Sequence, residues 1–186
     1  VIINANLITG FAALQDCGVF VENGFVHDVF NMKRYSSKHF PEDTEVLDVH
    51  GSLTCAGLID THIHGIGGYG TEDCSAESIL GMSEALADFG VTAFLPTVYP
   101  QGKEELFKVE QAICDAMGHE KGAKILGMNI EGPFLSPRRH GALPEKALSV
   151  VDTDYFDEII NHGHGNVVCM TVAPELKNMH ELALRA

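Results

Sequence analysis

Two histidines, His62 and His64, are spaced so that their rings can act together. They close an apolar run, residues 58–64, that has the character of a β-strand. Residues two apart on a strand point to the same side, and neutral imidazole is a good ligand for zinc and iron. Asp60 shares that face, where a carboxylate can orient a ligating ring. The spacing indicates a metal site, and the alternative is two histidines in a polar loop.

Glu131 closes a second apolar run, residues 124–130, and is followed by Gly132-Pro133. A carboxylate is costly to place at a strand end unless a cation offsets its burial. The plainer interpretation is a surface glutamate in a strand-to-loop turn. If both runs are parallel strands of a barrel, their carboxyl ends meet at one edge, so His62, His64 and Glu131 are predicted to converge there.

A second histidine pair, His162 and His164, has the same His-x-His spacing, so the spacing alone does not identify a metal site. The pair is flanked by glycines and lies after a helical segment and before a strand. That position is the opposite end of the sheet, where residues usually serve stability. We therefore interpret the pair as a helix-to-strand turn with a glycine cap, and we do not predict a metal site there.

The elements that must position these residues change character near residue 56. Before it the sequence predicts short strands, with a hairpin turn at Asn23-Gly24. After it, strands alternate with helices at 75–89, 103–117 and 153–161. The first helix should bury one face, formed by Ile79, Met82, Ala85, Leu86 and Phe89.

Alternation of strand and helix predicts an α/β fold with a parallel sheet. The strands are apolar along their length, as expected for strands covered on both faces. A doubly wound sheet and a (β/α)₈ barrel both fit, and the placement of the histidines and Glu131 favours the barrel. We predict that residues 56–186 form a partial TIM barrel, about strands 1–4, preceded by a segment of short strands at residues 1–55. We expect the chain to be the N-terminal half of a longer protein.

Composition restricts the partners. Lys and Arg total 12 against 26 Asp and Glu, a net charge of -14, which disfavours nucleic acid. No segment has the ~20 apolar residues of a membrane span. The five cysteines are scattered, which predicts free thiols in a reducing, cytoplasmic compartment. Arg138, Arg139 and His140 form a local basic cluster, so a small phosphorylated substrate is compatible with the charge.

Several of these segments resemble the amidohydrolase superfamily. Residues 60–65, Asp-Thr-His-Ile-His-Gly, resemble its first barrel strand. Residues 131–134, Glu-Gly-Pro-Phe, followed by Gly141-Ala142, resemble the N-acetylglucosamine-6-phosphate deacetylases in particular. Three further segments fit that family, at residues 90–92, 95–97 and 172–175. The resemblance implies that residues 1–55 are part of a small β-sandwich domain that precedes the barrel.

The resemblance implies a hydrolase that removes the acetyl group of N-acetylglucosamine 6-phosphate by metal-activated water, giving glucosamine 6-phosphate and acetate. It implies one or two divalent ions, zinc or iron, with Glu131 as the central ligand. His62 and His64 match a pair found in members that can hold a second ion. Ala142 and Leu143 match positions that contact the sugar phosphate, and Leu143 departs from the His or Gln that the family often has there.

The resemblance also places functional groups beyond residue 186: two later metal histidines and a catalytic aspartate. We therefore expect no catalytic residue and no turnover in the 186-residue chain, and weak metal binding. The implied assembly is a homodimer in which an arginine of the neighbouring subunit meets the phosphate. Two alternatives stay open: an amidohydrolase acting on a cyclic amide, as dihydroorotase-like relatives do, and a non-catalytic fragment. Glu131 speaks against the first, since those relatives usually have a carboxylated lysine at its position.

Overall fold

The computed structural model describes residues 1–99 and 102–186. The chain divides into two compact units, Val1–Ala56 and Gly57–Ala186, one residue beyond the predicted boundary. Their assignment as part of a sandwich and half of a barrel stays a prediction. Among the described residues, no helix combines the length and the apolar character needed to cross a membrane.

The first unit is built on one five-stranded sheet. Its strands are β1 (Ile2–Ile8), β2 (Ala13–Glu22), β3 (Phe25–Asn31), β4 (Leu47–Asp48) and β5 (Leu53–Cys55). The first three form an antiparallel meander, and both β4 and β5 run parallel to β1. The predicted hairpin is confirmed, with positive φ at both Asn23 and Gly24.

The second unit alternates strand and helix as predicted. Its strands are β6 (Leu58–Ile63), β7 (Gly65–Ile66), β8 (Tyr69–Gly70), β9 (Val91–Val98), β10 (Lys124–Ile125), β11 (Met128–Glu131) and β12 (Val167–Thr171). Its helices are α1 (Ala76–Ala87), α2 (Lys103–Ala116), α3 (Thr153–His162) and α4 (Met179–Arg185).

The main sheet of this unit is parallel, with β6, β9, β11 and β12 side by side in that order and β10 also on β9. An α/β fold with a parallel sheet is therefore confirmed. The main core packs β9 and β11 against α1, α2 and α3, around buried Phe94, Ile113 and Ile130. Burial of these apolar side chains stabilises the sheet that carries the site.

Helix α1 begins within one residue of the predicted start, residue 75, and ends two residues before the predicted end, residue 89. Ser75 caps it by accepting a hydrogen bond from the backbone N–H of Ser78 at 3.1 Å. Ile79, Met82 and Leu86 are buried, whereas Phe89 is 70% exposed. The prediction for Phe89 is wrong because the helix stops at Ala87, so helical spacing no longer places residue 89 on the buried face.

The strand predicted at residues 124–130 is interrupted. Gly127 has φ of 136°, and a Cβ there would lie 2.7 Å from the backbone oxygen of Asn166. The backbone therefore kinks between β10 and β11 where the chain entering β12 comes close. Burial of the strands on both faces also holds only in part, since Leu58 and Ile59 of β6 and Val168 of β12 are each more than half exposed.

Candidate metal centre

Parallel strands bring the two histidines and the glutamate to one edge of the sheet. His62 is the next-to-last residue of β6, and His64 follows the final residue of that strand. Glu131 is the last residue of β11. Consecutive strands of a barrel lie side by side, and β9 does lie between these two strands. The convergence therefore depends on side chains that reach across β9.

The three side chains meet. The Nε2 atoms of His62 and His64 are 3.3 Å apart, and Glu131 Oε2 is 3.2 Å from His64 Nε2 and 3.7 Å from His62 Nε2. Two ligands bound at ~2.05 Å and at the tetrahedral angle are about 3.3 Å apart. The donor atoms thus have the chemistry of divalent-ion ligands; the separations of 3.2 and 3.3 Å match the tetrahedral value, and the third, 3.7 Å, is longer. Within residues 1–99 and 102–186, this is the only such group of three or more His, Cys, Asp or Glu ligands.

His64 is held with its Nε2 directed at Glu131. Its Nδ1 lies 3.0 Å from the carbonyl oxygen of Thr97, the position of a donor to that acceptor. With the proton on Nδ1, the lone pair of Nε2 is free to bind a cation. The ring of Tyr99 meets the imidazole edge-on at a centroid distance of 5.1 Å.

Thr97 fixes more of the surroundings than its carbonyl. Its hydroxyl accepts the backbone N–H of Ile63 at 3.0 Å, and its carbonyl also accepts from the Thr71 hydroxyl at 3.0 Å. Both threonines are almost wholly buried. They tie the end of β9 to the segment that carries His64. Thr97 lies in one of the segments that fit the family resemblance, but sequence patterns gave neither threonine a chemical role, since a threonine near a strand end is common.

His62 is held less firmly. Its side chain is 46% exposed, against 38% for His64 and 22% for Glu131. Its Nδ1 lies 3.5 Å from the amide nitrogen of Asn129, at the limit of a hydrogen bond. Asp60 accepts the backbone N–H of His62 at 3.1 Å, so its carboxylate holds the backbone there and not the imidazole ring that we expected it to orient.

Tyr99, whose ring meets that of His64, has a displaced pKa. Burial raises the pKa of its phenol, and the negative charges of Glu72 and Cys74 raise it further. The phenol is therefore neutral throughout the physiological range, and its ring packs beside His64 without adding charge.

The loop after Glu131 is buried where it starts and exposed further along. Phe134 is fully buried, and its carbonyl accepts the backbone N–H of Ala173 at 2.9 Å. Arg138 and Arg139 are exposed, as is Ala142, while Leu143 is half-buried with its carbonyl oxygen 2.5 Å from His140 Nδ1. The substrate contacts predicted for Ala142 and Leu143 stay predictions.

The second histidine pair lies in the predicted turn, away from the cluster. His162 is the last residue of α3, and His164 has φ of 51° in the turn before β12. The ring of His162 stacks on Phe107 at 4.5 Å, with its Nδ1 3.3 Å from Glu110 Oε2. Glu110 is fully buried, which the sequence did not indicate, because a glutamate on a helix is ordinarily solvent-facing.

The sequence profile of the Amidohydrolase family matches residues 53–179, which include His62, His64 and Glu131. The chain belongs to the amidohydrolase family. The matched segment covers the whole parallel sheet of the second unit, from β6 to β12. The superfamily resemblance seen in residues 60–65 is thereby confirmed.

Relatives within the amidohydrolases are N-acetylglucosamine-6-phosphate deacetylases. The human protein is 35% identical over 190 residues, covering 96% of this chain and 44% of its own length. The Bacillus subtilis protein is 34% identical over 149 residues, covering 76% of this chain and 37% of its own length. The chain thus spans less than half the length of these relatives.

Solved structures of amidohydrolases with this name share the fold. The deacetylase from Pasteurella multocida superposes with a TM-score of 0.80 at 21% identity, over 99% of this chain and 48% of that one. The deacetylase from Thermotoga maritima superposes with a TM-score of 0.72 at 24% identity, over 98% of this chain and 45% of that one. At these identities the likeness concerns the fold alone.

Proposed function

We propose that the whole protein is a metal-dependent deacetylase of N-acetylglucosamine 6-phosphate. The observation that carries the proposal is the convergence of His62, His64 and Glu131 at distances suited to a divalent ion. The likeness to the human deacetylase over 96% of this chain supports the substrate. In the reaction, a water oxygen adds to the acetyl carbon, the C–N bond breaks, and the nitrogen takes up a proton, giving acetate and glucosamine 6-phosphate.

A divalent ion, zinc or iron, would supply polarisation of the acetyl carbonyl and a water of lowered pKa at this site. Glu131 contributes the negative charge that holds such an ion. His64 contributes a neutral Nε2 whose direction is set by Thr97, and His62 adds a second, more exposed imidazole. Metal stoichiometry distinguishes one ion held by all three residues from two ions shared among them.

Further parts of the proposal concern the protein beyond these ligands. Ala142 and Leu143 would meet the sugar phosphate, in a loop that starts directly after Glu131. The parallel sheet would be the first half of a (β/α)₈ barrel, residues 56–186, and residues 1–55 part of a small β-sandwich domain. The five free thiols support a reducing, cytoplasmic location, and we expect a homodimer.

The test uses the protein at the length of its relatives. Acetate release from N-acetylglucosamine 6-phosphate is expected, lost on chelation and restored by zinc or iron. Activity on a cyclic amide with none on the amino sugar would assign the protein to a different amidohydrolase reaction. Full activity after complete metal removal would end the proposal, and absence of any hydrolysis would favour a non-catalytic role.

A further inference from the structure

Asn129 is a buried amide between the two strands that carry the metal ligands. It lies two residues before Glu131 on β11 and is 4% exposed. Its Nδ2 donates to the backbone oxygen of Thr61 at 3.0 Å and lies 3.5 Å from His62 Nδ1. One amide thus contacts both the backbone before His62 and the ring of His62.

The bond to Thr61 connects strands that share no backbone pairing. Strand β9 lies between β6 and β11, and Asn129 is in register with Thr97 of β9. Strands two places apart in a sheet are separated by about 9.5 Å. The Asn129 side chain bridges that gap next to the ligands, since Thr61 precedes His62.

The backbone near His62 needs such a connection. The ladder between β6 and β9 is irregular between Asp60 and Ile63, which is the stretch that contains Thr61 and His62. Regular backbone pairing therefore does not fix the position of His62, along the strand direction, relative to Glu131. Asn129 supplies a fixed donor at that point.

The amide of Asn129 also leaves a buried polar atom without a partner. Its Oδ1 is buried, with no hydrogen-bond partner in the described part of the chain. A buried carbonyl without a hydrogen-bond partner destabilises the folded state. An apolar side chain of similar size would avoid that cost, so stability alone does not account for an asparagine here.

We infer that Asn129 is a positioning residue for the metal centre. Its hydrogen bond to the backbone of Thr61 fixes where His62 lies, along the strand direction, relative to Glu131. The inference rests on the proposed metal site and adds a residue that does not itself bind the ion. Side chains that orient metal ligands typically change affinity by about 10–100-fold when they are removed.

The experiment compares Asn129→Leu and Asn129→Ser in the full-length protein. Leucine has a similar size and lacks the donor, while serine is too short to reach Thr61. Metal affinity is measured by competition with a chelator, and thermal unfolding is measured on the metal-free protein. Both variants should bind zinc about 10–100-fold more weakly, and Asn129→Leu should unfold at the wild-type temperature or above.

Ser83→Ala provides the matched control. Ser83 is a fully buried polar residue of α1 whose hydroxyl donates to the carbonyl of Ala123 at 2.7 Å, away from the metal ligands. Its loss should lower the unfolding temperature and leave zinc affinity unchanged. A role of Asn129 in stability alone would give the same result as this control.

Cobalt supplies a second readout, since its visible absorption reports ligand geometry at saturation. We expect altered band intensities in both Asn129 variants. Affinities within twofold of wild type and unchanged cobalt spectra would overturn the inference while leaving the metal site intact. A wild-type protein that binds no divalent ion would remove the proposed function and the inference together.

Discussion

At the scale of single residues, environment separates side chains of the same type. His64 and His162 each belong to a His-x-His pair, yet one directs Nε2 at Glu131 and the other stacks on Phe107 beside Glu110. The carboxylates differ as well, because Glu131 lies at an open strand end and Glu110 is enclosed between helices. A neighbouring donor set, and not residue type, decides which of them can hold an ion.

Glu131 provides the one negative charge among the three ligands, so its neutralisation should have the largest effect. In the full-length protein, Glu131→Gln is expected to lower metal content below a tenth of wild type, because an amide oxygen binds a divalent ion far more weakly than a carboxylate. Elemental analysis after dialysis measures this. Glu175→Gln, at an exposed carboxylate of the same unit, should retain its metal, and equal retention in both variants would contradict the assignment.

The two histidines of the cluster should not contribute equally. His64 is nearer to Glu131 and is oriented by Thr97, whereas His62 is more exposed and loosely contacted. His64→Ala is therefore expected to weaken zinc binding about tenfold more than His62→Ala. Calorimetric titration of both variants checks the order, with His164→Ala as a histidine outside the cluster that should bind like wild type. A larger loss in His62→Ala would show that the orientation of His64 is not decisive.

At the scale of elements, helices α2 and α3 enclose an ionisable group that the proposed reaction does not use. Glu110 of α2 faces His162 at the end of α3, with Tyr155 and Cys114 nearby. Burial raises the pKa of Glu110 from 4.5 to about 8. The same enclosure raises the pKa of Tyr155, to which the charge of Glu110 also contributes.

The raised pKa of Glu110 makes the folding free energy depend on pH. Between about pH 4.5 and pH 8 the unfolded chain releases a proton that the folded protein retains. The stabilising contribution is complete below pH 4.5 and is lost as the pH rises through about 8. Glu110→Gln is always neutral, so its stability should fall less between pH 5 and pH 8.

Denaturant unfolding at both pH values measures this effect. Between pH 5 and pH 8 the wild type should lose up to about 1.4 kcal/mol of stability per pH unit more than Glu110→Gln, because the folded protein retains a proton that the unfolded chain has released. Glu104→Gln, at an exposed position of the same helix, should follow the wild-type pH dependence. An identical pH dependence in Glu110→Gln and wild type would show that Glu110 is not protonated in the folded protein.

At the scale of the whole molecule, the second unit presents uncovered strands within the described residues. β12 pairs with β11 alone, and Val168 and Cys169 on it are exposed. Apolar edge strands are ordinarily paired or covered in native proteins. The proposed barrel would cover this edge with a further parallel strand of the longer chain.

Thiol labelling can test that arrangement. Cys169 should react with iodoacetamide at least about tenfold more slowly in a protein of the relatives' length than in the 186-residue chain, because the proposed barrel buries β12 on both faces. Cys114, which is already half-buried against the turn at Gly163, should change little and serves as the internal comparison. Equal labelling of Cys169 in both lengths would contradict closure of the sheet at β12.

The sequence by itself determined the features that depend on neighbours in the chain. Apolar runs and helical spacing predicted the strands and helices, and strand ends carried His62, His64 and Glu131. These predictions succeed because backbone conformation and side-chain alternation are local properties. They fail at the ends of elements, as at Phe89, where a helix stops two residues before its apolar pattern does.

Only the tertiary structure decided which polar groups meet. Strand register and side-chain packing brought Thr97 to His64 and Asn129 to Thr61. Helix packing enclosed Glu110. Distances between residues far apart in the chain follow from sheet order and the packing of helices on it, and burial sets the energy of a charge. Neither quantity can be calculated from spacing along the sequence.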